Sequence, residues 1–87
     1  MPSQVTGGRR SAIEIVHEIL SVCDNGGCNK TAIMYRSNLS YEQLRRYLSL
    51  LSTQQLIDRN DVGHFQVTPR GRKTMRQMAT VMRSLRV

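Results

Sequence analysis

The chain has 87 residues, with thirteen Lys and Arg against six Asp and Glu, for a formal charge of +7. One small domain with a polyanionic partner is expected from these figures. No run approaches the roughly 18 apolar residues of a membrane span and no apolar signal region follows the start, so a soluble, cytoplasmic protein is expected. Two cysteines are too few for a disulfide scaffold or for a four-ligand zinc site.

Residues 1–10 contain Pro, Ser, Gly-Gly and Arg9-Arg10 without an apolar period, and are expected to form a mobile basic tail. Ser11 with Glu14 predicts a capping box, and Ile13, Val16, Ile19, Leu20 and Cys23 form the apolar stripe of a first helix. Asp24-Asn25-Gly26-Gly27 ends that helix. Cys23 reads as a small buried hydrophobe, while Cys28 falls in the following loop; a local Cys23–Cys28 disulfide fits the spacing, although a cytosolic protein keeps such a pair reduced.

Asn29 can cap a short second helix from about Lys30 to Arg36, with Ser37-Asn38-Leu39 as a turn in which Asn38 takes a left-handed conformation. Ser40 and Gln43 then predict a second capping box, opening a third helix. Its Leu44, Leu48 and Leu51 share one stripe with Tyr47 beside it. Glu42, Arg46, Ser49 and Thr53 face the other way, flanked by Gln43 and Arg45. A helix with an apolar back and a free face of arginines, glutamine and serines is suited to base edges and phosphates.

Past Gln54-Gln55, Leu56-Ile57-Asp58-Arg59 and His64-Phe65-Gln66-Val67 read as two strands around the turn-forming Asn60-Asp61-Val62-Gly63. Thr68 as N-cap and Pro69 at the first position begin a last helix. Met75, Met78, Met82 and Leu85 recur three, four and three apart, as in a coiled-coil seam. They are expected either to pair two copies of the chain or to cover the domain's own first helix. From Val62 onward there is no acidic residue, while Arg70, Arg72, Lys73, Arg76, Arg83 and Arg86 all fall there. The fold expected is mostly α with a small β-hairpin: a winged helix-turn-helix over residues 11–68 and a C-terminal extended helix over 69–87 as dimerisation element.

Three segments together resemble the archaeal 10a-type winged-helix DNA-binding proteins: Ile13-Glu-Ile-Val-His-Glu-Ile-Leu20, Lys30-Thr-Ala-Ile-Met-Tyr-Arg-Ser-Asn-Leu-Ser-Tyr-Glu-Gln-Leu44 and Val67-Thr-Pro-Arg-Gly71. The resemblance covers about residues 11 to 75, and Ile33 to Tyr41 is its most distinctive part. It implies a small basic protein that dimerises through a C-terminal helix paired as an antiparallel coiled coil. It further implies recognition positions at Ser40, Tyr41, Gln43, Arg45 and Arg46, and a wing from Asp61 to His64. The chain departs from the family in a short wing whose cations are Arg59 and His64, and in a last helix that ends at Val87, earlier than in the longer members.

The residues expected to touch DNA are Arg46 first, then Arg45, Gln43, Ser40, Tyr41 and Ser49 of the third helix. Lys30 and Arg36 of the second helix are expected on phosphates, with Arg59 and His64 from the wing. Arg9 and Arg10 either reach a minor groove or keep the chain soluble. No enzyme is expected, because the carboxylates are scattered and no phosphate loop or nucleophile elbow occurs. No cofactor is expected either, and a zinc set of His17, Cys23, Cys28 and His64 matches no established spacing. The function expected is double-stranded DNA binding by a transcriptional regulator or a chromatin protein. A protein-interaction module on the same fold is the alternative, and RNA binding a weaker third.

Overall fold

Helix termini place the elements of this chain. The computed structural model describes residues 10–85, so the tail over 1–9, together with Arg86 and Val87, lies outside the described residues. In chain order the elements are α1 (Ala12–Cys23), α2 (Lys30–Arg36), α3 (Tyr41–Thr53), β1 (Ile57–Arg59), β2 (Phe65–Val67) and α4 (Pro69–Leu85). Both capping boxes form: Ser11 with Glu14 on α1, and Ser40 with Gln43 on α3. The Asn29 side chain accepts from the Ala32 N–H and caps α2.

The turn between α2 and α3 follows from how α2 ends. Asn38 has φ +53°, its N–H donates to the Tyr35 carbonyl, and the Leu39 N–H donates to the Met34 carbonyl. These two bonds make a Schellman motif, which satisfies carbonyls that the helix end leaves free. The chain is thereby turned sharply, and Leu39 drops into the core. A second Schellman motif closes α3: Gln55 has φ +61°, with Gln55 N–H to Ser52 O and Leu56 N–H to Leu51 O. The sequence carries no glycine there, and Gln55 takes a conformation that L-residues rarely adopt.

The hairpin pairs Ile57 with Val67, Asp58 with Gln66 and Arg59 with Phe65, antiparallel. Each strand is one residue shorter than expected, since Leu56 belongs to the α3 terminus and His64 to the turn. Asn60 builds that turn, its side-chain oxygen accepting from the Val62 and His64 N–H groups. A contact that the sequence did not announce extends the hairpin on its other side. Cys28 and Phe65 exchange two backbone hydrogen bonds of 2.9 Å in an isolated bridge. Gly27 is required beside it, because it has φ +93° and an added Cβ would stand 2.9 Å from the Phe65 carbonyl oxygen.

The core draws on every element. On α1 the buried set is Ile15, Val16, Ile19, Leu20 and Cys23, while Ile13 of the expected stripe is only half-buried. The helix packs against α2, β2 and α4 together, so it buries two adjoining rows instead of one. On α3 the expected stripe of Leu44, Leu48 and Leu51 is buried, with Tyr47 at its edge.

The root of α4 is fixed by close packing and by capping. The Thr68 hydroxyl accepts from the Gly71 N–H and donates to the Gln55 carbonyl, joining the start of α4 to the end of α3. Gly71 is buried against the Leu56 carbonyl, where an added Cβ would collide. Arg72 donates through Nε and Nη2 to Asp24 Oδ1 at 3.2 and 3.0 Å, tying α4 to the end of α1. Both partners are substantially exposed, so that ion pair contributes at most about 1 kcal/mol.

Candidate nucleic-acid interface

With its apolar stripe turned into the core, α3 presents Glu42, Arg45, Arg46, Ser49 and Ser52 along one outward face, at the three- and four-residue spacing of helix neighbours. The hairpin lies alongside, and Lys30 enters from the start of α2. Together they wall an open groove of about 640 Å³, with Arg59 on the hairpin side and Leu44, Leu48 and Phe65 beneath. The Arg59 guanidinium sits 4.6 Å from the Phe65 ring centroid, which holds the cation in place by a cation–π contact. At the entrance of α3, the Arg45 guanidinium lies 5.9 Å from the Tyr41 ring.

Four cations and one carboxylate therefore share the groove: Lys30, Arg45, Arg46 and Arg59 against Glu42. Among the described residues no ion pair joins Glu42 to Arg46, although they stand at the i, i+4 spacing. Among the described residues the guanidinium of Arg46 makes no ion pair, which leaves its donors for an external acceptor. A concave surface lined by unpaired guanidiniums and hydroxyls is suited to phosphate oxygens and to acceptor-bearing base edges.

The residues named from the sequence divide into three sets. Lys30, Arg45, Arg46, Ser49 and Arg59 come together in the groove. Ser40, Tyr41 and Gln43 stand at the α3 N-terminus, where the Gln43 side-chain oxygen accepts from the Ser40 N–H at 3.0 Å and the Ser40 hydroxyl accepts from the Gln43 N–H at 3.1 Å. The cap thus occupies the Ser40 oxygen and the Gln43 oxygen, while Tyr41 is exposed. Arg36 is exposed at the end of α2, and His64 is half-buried at the foot of β2; neither lines the groove. Ser52 and Phe65 line it without having been singled out, and the seven-residue repeat from Arg45 to Ser52 was the sequence signal for the first of them.

Outside the groove, Arg10 and Arg72 are engaged within the protein. Arg10 donates to the Asn38 carbonyl at 3.1 Å, so its side chain reaches the α2–α3 turn. Arg72 is held by Asp24. On α4, Met75 and Met78 pack against the core of the same chain, Met82 is half-buried beside His17 and Glu18 of α1, and Leu85 is 75% exposed. Among the described residues no three His, Cys, Asp or Glu side chains gather in a way that could hold a metal ion, so His17, Cys23, Cys28 and His64 do not converge. Among the described residues no helix is long and apolar enough to cross a membrane.

The family described as winged helix-turn-helix matches residues 9–86, and the chain belongs to it. Among curated proteins it is 33% identical over 75 residues to the uncharacterized protein MJ0290 of Methanocaldococcus jannaschii, covering 86% of this chain and 35% of that one. A second uncharacterized protein of the same organism, MJ0287, is 34% identical over 65 residues, covering 75% of this chain and 66% of that one. The chain thus spans about a third of the length of the first relative and just under two thirds of the second. Among solved structures, the crystal structure of Sso10a-2, a DNA-binding protein from Sulfolobus solfataricus, has a TM-score of 0.78 at 20% identity, covering 88% of this chain and 83% of that one. The likeness to archaeal 10a-type proteins read from the sequence therefore holds for the fold.

Proposed function

We propose that this protein binds double-stranded DNA, with the outward face of α3 in the major groove and Lys30 and Arg59 on the flanking phosphates. The observation that carries the reading is the groove itself, in which Lys30, Arg45, Arg46 and Arg59 converge on one concave surface beside a single carboxylate, Glu42, and among the described residues none of the four is in an ion pair. Membership of the winged helix-turn-helix family and the DNA-binding protein that shares the fold support it. Ser40 and Tyr41 add donors near the positive end of the α3 dipole. Arg36 and His64 stand at the margins, as phosphate contacts of lesser weight.

Within this reading residues 11–68 form the DNA-binding unit and residues 69–87 join two copies. Met75 and Met78 already serve the domain's own core, so the pairing surface is the distal part of α4, with Met82, Leu85 and Val81. A homodimer would place two α3 helices on one duplex, as expected of a transcriptional regulator, whereas dense coverage without sequence preference would mark a chromatin protein. A protein-interaction module is the competing reading, favoured by the bare Val81 and Leu85 side chains.

The test is titration against duplexes of random and mixed sequence at several salt concentrations, beside Arg45→Ala/Arg46→Ala. If the four groove cations each neutralise a phosphate, log affinity falls against log salt with a slope of about −3.6 per domain. Binding with that slope, weakened in the double variant, supports the reading. Absence of binding at low salt overturns it and leaves the distal α4 surface as the functional one.

A further inference from the structure

Away from the groove, Cys23 at the end of α1 and Cys28 before α2 bring their sulfur atoms to 3.4 Å, in thiol–thiol contact, and both are free. We propose that this pair is an oxidisable dithiol that takes a low-molecular-weight disulfide as its substrate and closes to an intramolecular Cys23–Cys28 bond. The inference is independent of DNA binding. A disulfide bond is about 2.05 Å long, so the two sulfurs need to approach by little more than 1.3 Å, within reach of small side-chain rotations.

The fold, and not only the short spacing, brings the pair together. Cys23 is buried in the core, and the following Asp24 is held by Arg72 of α4. Cys28 is fixed by its two backbone bonds to Phe65. Between them the chain reverses through Gly26 and Gly27, at φ +88° and +93°. Both thiols are thereby presented to each other before any oxidant arrives, which raises the effective concentration of one at the other.

The two sulfurs have different roles in the exchange. Burial above all, then the hydrogen bond and charge of Cys28, pushes the Cys23 thiol up. Cys28 is half-buried and enters first: its thiolate attacks one sulfur of the external disulfide, forming a mixed disulfide and expelling one thiolate. Cys23 then gives up its proton to solvent, attacks the Cys28 sulfur and expels the second thiolate. The chain is oxidised by two electrons, and the external disulfide is reduced to two thiols. Cys23 is less often present as the thiolate, and its fixed place beside Cys28 offsets this by making the second step intramolecular. The product bonds the end of α1 to Cys28, whose backbone already bridges Phe65, and so ties α1 to the segment that leads to Lys30.

The test equilibrates the full chain with reduced and oxidised glutathione, quenches with acid, and reads intact mass and alkylation under denaturing conditions. The expected product is about two mass units lighter, refuses alkylation at both cysteines, runs as a single chain and is restored by dithiothreitol. Its ratio to the reduced form should exceed that in concentrated urea by about tenfold or more at the same glutathione ratio. Cys23→Ala should halt at a stable glutathione adduct on Cys28. A wild-type chain that itself halts at the adduct, links two chains, keeps both thiols, or oxidises no more readily when folded than in urea overturns the proposal.

Discussion

Helices α3 and α4 are both amphipathic, yet they dispose of their apolar faces differently. On α3 the stripe of Leu44, Leu48 and Leu51 goes into the core, and the outward surface is mostly polar, with Tyr41 and Leu50 exposed beside it. On α4 the stripe divides: Gly71 is buried, Met75 and Met78 lean on the core, and Val81 and Leu85 are 45% and 75% exposed. At 17 residues α4 runs about 25 Å, longer than the 12-residue α1 it packs on, which runs about 18 Å. Identical periodicity therefore marks a core face in one helix and a partly exposed one in the other, and the distinction rests on helix length relative to what lies beneath.

The root of α4 offers the strongest way to break this comparison. Gly71→Ala should lower stability by about 3 kcal/mol, because its Cβ meets the Leu56 carbonyl and stands 2.9 Å from Val67 Cγ1. Urea unfolding measures it, and a loss below about 1 kcal/mol would mean that α4 is not seated as described. Next, Arg45→Ala/Arg46→Ala should weaken duplex binding by about 30-fold, or about 2 kcal/mol, while urea stability changes by less than about 0.5 kcal/mol. An equal loss in both measurements would make these arginines structural.

At the far end of α4, Val81→Glu/Leu85→Glu should weaken self-association by about tenfold in sedimentation while leaving the thermal midpoint of the dissociated chain nearly unchanged. Unaltered association would place the pairing surface elsewhere. The smallest effects sharpen the picture of the α2–α3 turn. Ser40→Ala removes the α3 cap and should cost about 1 kcal/mol. Ser37→Ala, three residues earlier, should cost nothing or stabilise slightly, because the Ser37 hydroxyl is buried and has no hydrogen-bond partner among the described residues. Both are read from urea midpoints, and a costly Ser37→Ala would show that its hydroxyl is bonded after all.

Local chemistry made much of this fold legible. Ser11, Asn29, Ser40 and Thr68 announce helix starts, and Asn38 the left-handed turn, because each acts through atoms within a few residues. Long-range contacts were not legible. Nothing near Cys28 announces that Phe65 will bridge it, or near Asp24 that Arg72 will bind it. Gln55 takes its positive φ because the α3 terminus and Leu56 demand it, against its own preference. The groove was half legible: wheel geometry put Arg45, Arg46 and Ser49 outward, but joining Lys30 and Arg59 to them required the hairpin's placement.

The most direct measurement is amide chemical-shift mapping of the isotope-labelled chain as duplex DNA is added at low salt. Binding through the groove predicts the largest shifts at Lys30, Arg45, Arg46, Ser49 and Arg59, with Val81 and Leu85 nearly unmoved. Shifts concentrated on the distal part of α4, or none at all, would contradict it.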